Sequence, residues 1–185
     1  MIIGLVGRSR SGKDTVATLL QELNPARPFA IARLSAPIKD AARALFQFTD
    51  QQIEGAEKEV VDPRWNVTPR QVFQSITEHT MNAMGTDFFT RVFYEKYDQG
   101  ILPPNVIIPD IRYNHDIQEI KRRNGLIFKV ERDSLPVTYD CENHLDAYTT
   151  DDGLSIIPNH GSLETLRDTV WSQWNAAMAQ SNRMR

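Results

Sequence analysis

The chain of 185 residues is 41% hydrophobic and 24% charged, with a net charge of −3, which suits one folded domain and excludes an intrinsically disordered segment. The acidic balance excludes a global basic field for nucleic acid, although 21 Lys and Arg leave room for a local basic cleft. No apolar run approaches the ~20 residues of a membrane span, and the single cysteine, Cys141, cannot form an internal disulfide, which fits a reducing compartment.

Ile2 to Val6 is a continuous apolar run, as in a strand buried on both faces. It is short and lacks a basic leader region, so it reads as a strand and not as a signal peptide. Gly7 to Gly12 is a polar loop, and Lys13 to Leu23 carries Val16, Leu19, Leu20 and Leu23 at helical spacing. Phe29 to Leu34 reads as a second strand. Ala36 to Phe48 reads as a helix with Pro37 in its first turn. Thr49 to Val67 is polar and left unassigned. Thr68 is a candidate N-cap before Pro69, opening a helix that stops at Gly85. Asp87 to Tyr97 reads as another helix. Val106 to Ile108 reads as a buried strand, Asp116 to Arg123 as a helix, and Leu126 to Val130 as a strand. Residues 131–152 are turn-rich and form a candidate lid. Leu154 to Ile157 is a last strand, Ser162 to Ala179 a last helix, and Ser181 to Arg185 an end expected to fray.

Strands alternating with helices predict an α/β fold, with a parallel sheet of about five strands covered on both faces. The P-loop NTPase fold is the expected form. A single domain over 1–185 is expected, with residues 36–100 as a largely helical region. In such sheets ligands sit at the carboxyl ends of strands. The glycine loop and Asp110 both lie at such ends, about 100 residues apart in sequence.

Gly7-Arg8-Ser9-Arg10-Ser11-Gly12-Lys13-Asp14-Thr15 nearly matches the Walker A pattern. Glycines let backbone N–H groups wrap an anion, and the following helix presents its positive dipole end. Lys13 would bridge the β- and γ-phosphates. Arg10 would cover phosphates or point to solvent. The usual Ser/Thr magnesium ligand is replaced by Asp14, with Thr15 next. Asp14 either binds magnesium or stabilises the helix end, and in the first case Thr15 would bond the α-phosphate.

Asp110, after Val106-Ile107-Ile108, is either the acidic strand-end residue that orders magnesium beside a P-loop or a cap for the next turn. Arg112 could reach an acceptor phosphate with its planar fork. Arg70, in the first turn of a helix, opposes the dipole and calls for a partner, either an anionic ligand or a nearby Glu. Lys39 is a weaker candidate, and Trp65 is the one tryptophan placed to touch a ligand. The histidines, at 79, 115, 144 and 160, have no metal-ligand spacing, so no structural zinc is expected.

Several of these stretches, taken in order, resemble the phage-type deoxynucleoside monophosphate kinases. They are Ser9 to Thr15, Ala36-Pro37-Ile38-Lys39-Asp40, Pro69-Arg70-Gln71, Gly85-Thr86-Asp87, Ile108-Pro109-Asp110-Ile111-Arg112 and Asn159-His160-Gly161-Ser162-Leu163-Glu164. The Gly-Lys-Asp-Thr variant is usual in that family. The resemblance implies ATP as phosphate donor, Mg2+ as cofactor, for which Asp14 and Asp110 are the candidate ligands, and a deoxynucleoside monophosphate as acceptor. It implies acceptor binding around Lys39, Arg70, Asp87 and Arg112, and a border to the adenine formed by Asn159, Gly161 and Ser162. Arg132, at the start of the candidate lid, is expected to close over the phosphates. The His-acidic pair expected in that lid has its nearest match in His144-Leu145-Asp146.

The expected partners are small-molecule nucleotides. A membrane and nucleic acid are not expected, and a homodimer stays open. The expected location is cytoplasmic, in the host cell for a phage-encoded chain. The rival readings are a P-loop kinase acting on a modified base in phage DNA or on phosphomevalonate, and a non-catalytic nucleotide-binding module.

Overall fold

The computed structural model describes residues 1–133, 148–150 and 153–183. Most of the candidate lid, with Cys141 and His144-Leu145-Asp146, lies outside the described residues. The chain divides into two compact units, Met1–Arg33 with Lys96–Arg185, and Leu34–Glu95.

The first unit is built on a parallel sheet. β1 (Ile2–Val6), β3 (Val106–Ile111) and β4 (Leu126–Glu131) are almost wholly buried, as apolar runs covered on both faces must be. With β2 (Ala30–Ile31) and β5 (Ser155–Pro158) they form one five-stranded sheet in the order β2-β3-β1-β4-β5, every pairing parallel. The α/β class and the strand count are those predicted from the alternation of apolar runs and helical periods. β2 is shorter than the predicted Phe29–Leu34. Its last ladder bond runs from the Ala32 N–H to the Ile107 carbonyl, and Pro109 on β3 has no N–H with which to continue.

One face of the sheet is covered by α1 (Lys13–Glu22) and α7 (Leu163–Arg183). Val16, Leu20, Leu166, Val170 and Trp174 pack there on Ile3, Leu5, Phe128 and Ile157. The Trp174 ring meets Phe29 edge-on at 5.9 Å. Each such large side chain contributes about 1.5–3 kcal/mol by leaving water. α6 (Asn114–Arg122) packs close to Gly4, where an added Cβ would lie 2.4 Å from the Ile120 side chain. α7 continues to Arg183, through residues expected to fray.

The second unit is helical, with α2 (Ala36–Phe46), α3 (Asp50–Ile53), a 3-10 turn (Ala56–Glu59) and α4 (Pro69–Met84), followed by the start of α5 (Phe88–Asp98). Its core is Ala42, Phe48, Ile53 and Val72, flanked by Phe46, Val67, Phe73 and Ile76. α2 stops two residues before the predicted Phe48. Gln47 turns left-handed at φ 53°, and its N–H caps the Arg43 carbonyl. Phe48 then folds inward and stacks on Phe46 at 5.3 Å. The segment left unassigned from sequence holds α3, started by a reciprocal capping box between Thr49 and Gln52. Thr68 and Gln71 repeat that device at the start of α4. Among the described residues, no helix is long and apolar enough to cross a membrane.

Candidate active site

The phosphate loop joins the carboxyl end of β1 to the amino end of α1. Its conformation needs glycine at both ends. Gly7 has φ 149°, and a Cβ there would lie 2.4 Å from the Val130 carbonyl oxygen. Gly12 has φ 100°, and a Cβ there would lie 2.4 Å from the Asn159 Nδ2. Between them Arg10 adopts a left-handed φ of 64°, and the Ser11 N–H closes a turn onto the Arg8 carbonyl at 3.2 Å. The Lys13 Nζ donates to the Gly7 and Arg8 carbonyls, both at 2.7 Å, so the ammonium lies across the loop. The Ser11 Oγ is buried and has no hydrogen-bond partner among the described residues. A buried hydroxyl in that condition is costly unless a ligand satisfies it.

Asp14 and Thr15 are exposed in the first turn of α1. The Asp14 Oδ1 accepts from the Arg33 guanidinium at 2.6 Å. Arg33, just beyond β2, was not singled out from sequence; the only sequence signal was a cation closely following a short apolar run.

Asp110 and Arg112 flank Ile111 at the carboxyl end of β3. The β1–β3 register pairs Gly4 with Ile108 but Val6 with Ile111, so β3 carries one extra residue at Pro109–Asp110. Bulges of this kind accommodate proline and re-aim a neighbouring side chain. Because Val6 opposes Ile111, the start of the phosphate loop and Asp110 lie at the ends of adjacent strands. The two motifs that sequence placed about 100 residues apart are therefore brought together. Asp110 is half-buried, and Asp116 just beyond is buried. The Asp116 Oδ2 accepts from the backbone N–H of Arg112 at 3.1 Å and of Tyr113 at 3.0 Å. Sequence reasoning missed Asp116, whose signal was an acidic residue opening the predicted helix, which in fact begins two residues earlier at Asn114.

Arg132 is exposed directly after β4. Asn159, directly after β5, is tied twice. Its backbone N–H donates to the Glu131 carbonyl at 2.7 Å, and its Nδ2 donates to the Ser11 carbonyl at 2.8 Å. The Ser162 Oγ accepts from the Thr165 N–H at 3.2 Å at the start of α7, and Gly161 is exposed just before it. Lys129, on β4, is buried, with its Nζ 2.9 Å from a Glu131 carboxylate oxygen and 2.9 Å from the Tyr148 carbonyl.

Away from the strand ends, Glu119 accepts from Arg122 at 2.6 Å and from Arg123 at 2.7 Å. Those guanidinium bonds, Arg122 first, lower its pKa from 4.5 to about 2. Asp98 is lowered chiefly by its bond to Arg123.

The second unit holds the remaining candidates. Lys39 pairs with Glu54 at 2.7 Å, Arg70 with Glu59 at 2.9 Å, and Asp87 with Arg91 at 3.3 Å. Of the two partners considered for Arg70, a nearby Glu is present. The Trp65 Nε1 donates to the Phe46 carbonyl at 2.9 Å, and its ring meets Phe46 edge-on. Asp62 is buried and accepts from the backbone N–H and side chain of Arg64, which holds its carboxyl well below the usual range. Among the described residues, no group of three or more His, Cys, Asp or Glu could hold a metal by itself.

A five-stranded parallel sheet flanked by helices, with a glycine-bounded loop between its central strand and first helix and a lysine opening that helix, defines the class as a P-loop NTPase fold. No protein-family model matches the chain. A protein of Acanthamoeba polyphaga mimivirus named "Putative deoxynucleotide monophosphate kinase" is 31% identical over 150 residues, covering 73% of this chain and 76% of that one. The chain belongs to the deoxynucleotide monophosphate kinase family, and its class of activity is that of the nucleotide kinases, which are phosphotransferases. Among solved structures, TT1252 from Thermus thermophilus matches with a TM-score of 0.49 at 18% identity, over 97% of each chain. Shikimate kinase from Aquifex aeolicus matches with a TM-score of 0.47 at 12% identity, over 95% of this chain and 96% of that one.

Proposed function

We propose that the chain transfers the γ-phosphate of ATP to a deoxynucleoside 5′-monophosphate, giving the diphosphate. The observation that supports this most is the Val6–Ile111 pairing, which sets the phosphate loop beside the segment carrying Asp110 and Arg112. In-line phosphoryl transfer asks for positioning and charge neutralisation more than for covalent chemistry. Lys13 exchanges its two carbonyl partners for the β- and γ-phosphates of ATP. Loop N–H groups, the Ser11 hydroxyl and the amino end of α1 complete the anion site. Arg10 and Arg132 add positive charge over the phosphates, Thr15 bonds the α-phosphate, and Asn159, Gly161 and Ser162 border the adenine.

Magnesium takes hard oxygen donors and is usually held by one or two carboxylates together with substrate phosphates. The residues fit that requirement. Asp110 offers a carboxylate at the strand end, and Asp14 offers a second once it leaves Arg33. When bound, the ion would neutralise phosphate charge. Arg112 grips the acceptor phosphate, because a planar fork suits a dianion. Lys39, Arg70, Asp87 and Trp65 are the remaining acceptor residues in this reading, and residues 36–100 are the acceptor-binding region.

The test is a screen of the common deoxynucleoside 5′-monophosphates with ATP and magnesium, products being separated by chromatography. The expected result is ADP and a deoxynucleoside diphosphate in equal amounts. Transfer only to DNA carrying a modified base, or to phosphomevalonate, would replace the acceptor. Absence of transfer to any acceptor, with ATP still bound, would leave a nucleotide-binding module.

A further inference from the structure

We propose that Asp116 is the positioning residue that aims Arg112. The inference rests on the reading of Arg112 as the acceptor-phosphate residue. Asp116 is 2% exposed, although a carboxylate is among the side chains least often found fully buried. Removing it from water is costly unless the charge is met by hydrogen bonds. The backbone of the segment that carries the candidate chemistry supplies two of them, from Arg112 N–H at 3.1 Å and from Tyr113 N–H at 3.0 Å. The amino end of α6 adds its dipole to the same oxygens, and the His115 Nε2 lies 3.4 Å from Oδ1.

Helix capping accounts for only one of these bonds. A residue at the third position of a helix reaches back to the cap residue, which here is Tyr113. The bond to Arg112 goes one residue further, outside the helix. It fixes the peptide from which the guanidinium side chain departs. On the other side of that peptide, Ile111 is 1% exposed and in register with Val6. Arg112 is thus held between a core anchor and a buried carboxylate. A long, flexible side chain needs that fixed base if it is to meet a small dianion in one geometry.

The experiment compares the full-length wild type, Asp116→Asn, Arg112→Met and the double variant. The readouts are ATP affinity by calorimetry, steady-state kinetics with a mixture of the common deoxynucleoside 5′-monophosphates, and amide hydrogen exchange. Asp116→Asn is expected to speed exchange at the Arg112 and Tyr113 amides. It should raise the acceptor KM or lower kcat about tenfold while ATP affinity stays within about twofold. The double variant should be no worse than Arg112→Met alone. Unchanged exchange at those amides, or additive losses in the double variant, would overturn the proposal. If Arg112→Met by itself leaves acceptor kinetics unchanged, the reading of Arg112 falls and the proposal with it. If Arg112→Met shows the loss and Asp116→Asn does not, the proposal alone falls. Should Asp116→Asn fail to fold, Asp116→Glu keeps the charge and displaces the oxygens by one methylene. It is then expected to fold and show the same kinetic loss, and wild-type kinetics in that variant would overturn the proposal.

Discussion

The side chain of Asn159 donates to the carbonyl of Ser11 at 2.8 Å, joining the end of the last strand to the middle of the phosphate loop. That bond engages the Ser11 carbonyl within the protein, and in the proposed reading the other side of the loop meets the phosphates of ATP. Asn159→Ala is expected to cost about 1 kcal/mol of stability. It should also weaken ATP binding several-fold, because the loop loses its outer tie. Calorimetric titration of ATP with a parallel thermal melt checks both. Unchanged ATP affinity would mean that the loop holds its shape without Asn159.

Lys13→Ala should leave the fold intact, since its ammonium bonds to the Gly7 and Arg8 carbonyls of the loop and its side chain is not part of the core. Activity should fall by about a hundredfold or more, because the charge on the transferring phosphate loses its main cation. Circular dichroism together with a steady-state rate separates the two effects. An unfolded variant, or one near the wild-type rate, would contradict this role.

The two carboxylates proposed for magnesium should differ. Asp110→Asn is expected to raise the magnesium requirement and slow turnover. Asp14→Ser should be milder, since the Asp14 side chain is 75% exposed and paired with Arg33 at a surface-like site worth about 0–1 kcal/mol. Magnesium titrations of both variants at fixed ATP check the order. Equal, large losses would make Asp14 a full participant.

Acid should destabilise the first unit through Glu119. Its folded pKa of about 2 lies below its ordinary 4.5 because Arg122 and Arg123 bond the charged form. A depressed carboxyl contributes stability above its unfolded pKa, and that contribution is lost as pH falls through the folded value. Asp98 acts in the same direction. Denaturant midpoints should therefore fall between pH 4.5 and pH 2, and Glu119→Gln should flatten that acid limb. A parallel acid limb in the variant would place the loss elsewhere.

Much of this architecture was legible in the sequence because its signals are local. The apolar run Ile2–Val6, the spaced glycines and the helical period after Lys13 sit within two dozen residues of one another. The placing of the glycine loop and Asp110 at strand carboxyl ends followed from the same pattern, whereas the pairing of β1 with β3 is seen only in the folded sheet. What was not legible depends on distant partners. β2 is short because Pro109 of another strand lacks an N–H. α2 ends early because Phe48 is drawn into a core with Ile53 and Val72. Arg33, Asp116 and the contact from Asn159 to Ser11 gain their meaning only when the chain is folded. A lone Arg or Asp in sequence carries no sign of the atom it will meet.

The central claim is the transfer itself, and it is tested most directly by following the γ-phosphate. ATP labelled at that position is incubated with magnesium, the protein and a mixture of the common deoxynucleoside 5′-monophosphates, with the matching free nucleosides as a control. The account predicts label in deoxynucleoside diphosphates and very little transfer to nucleosides, which offer the acceptor arginine no phosphate to grip. Label found only in inorganic phosphate, or transferred equally well to nucleosides, would contradict it.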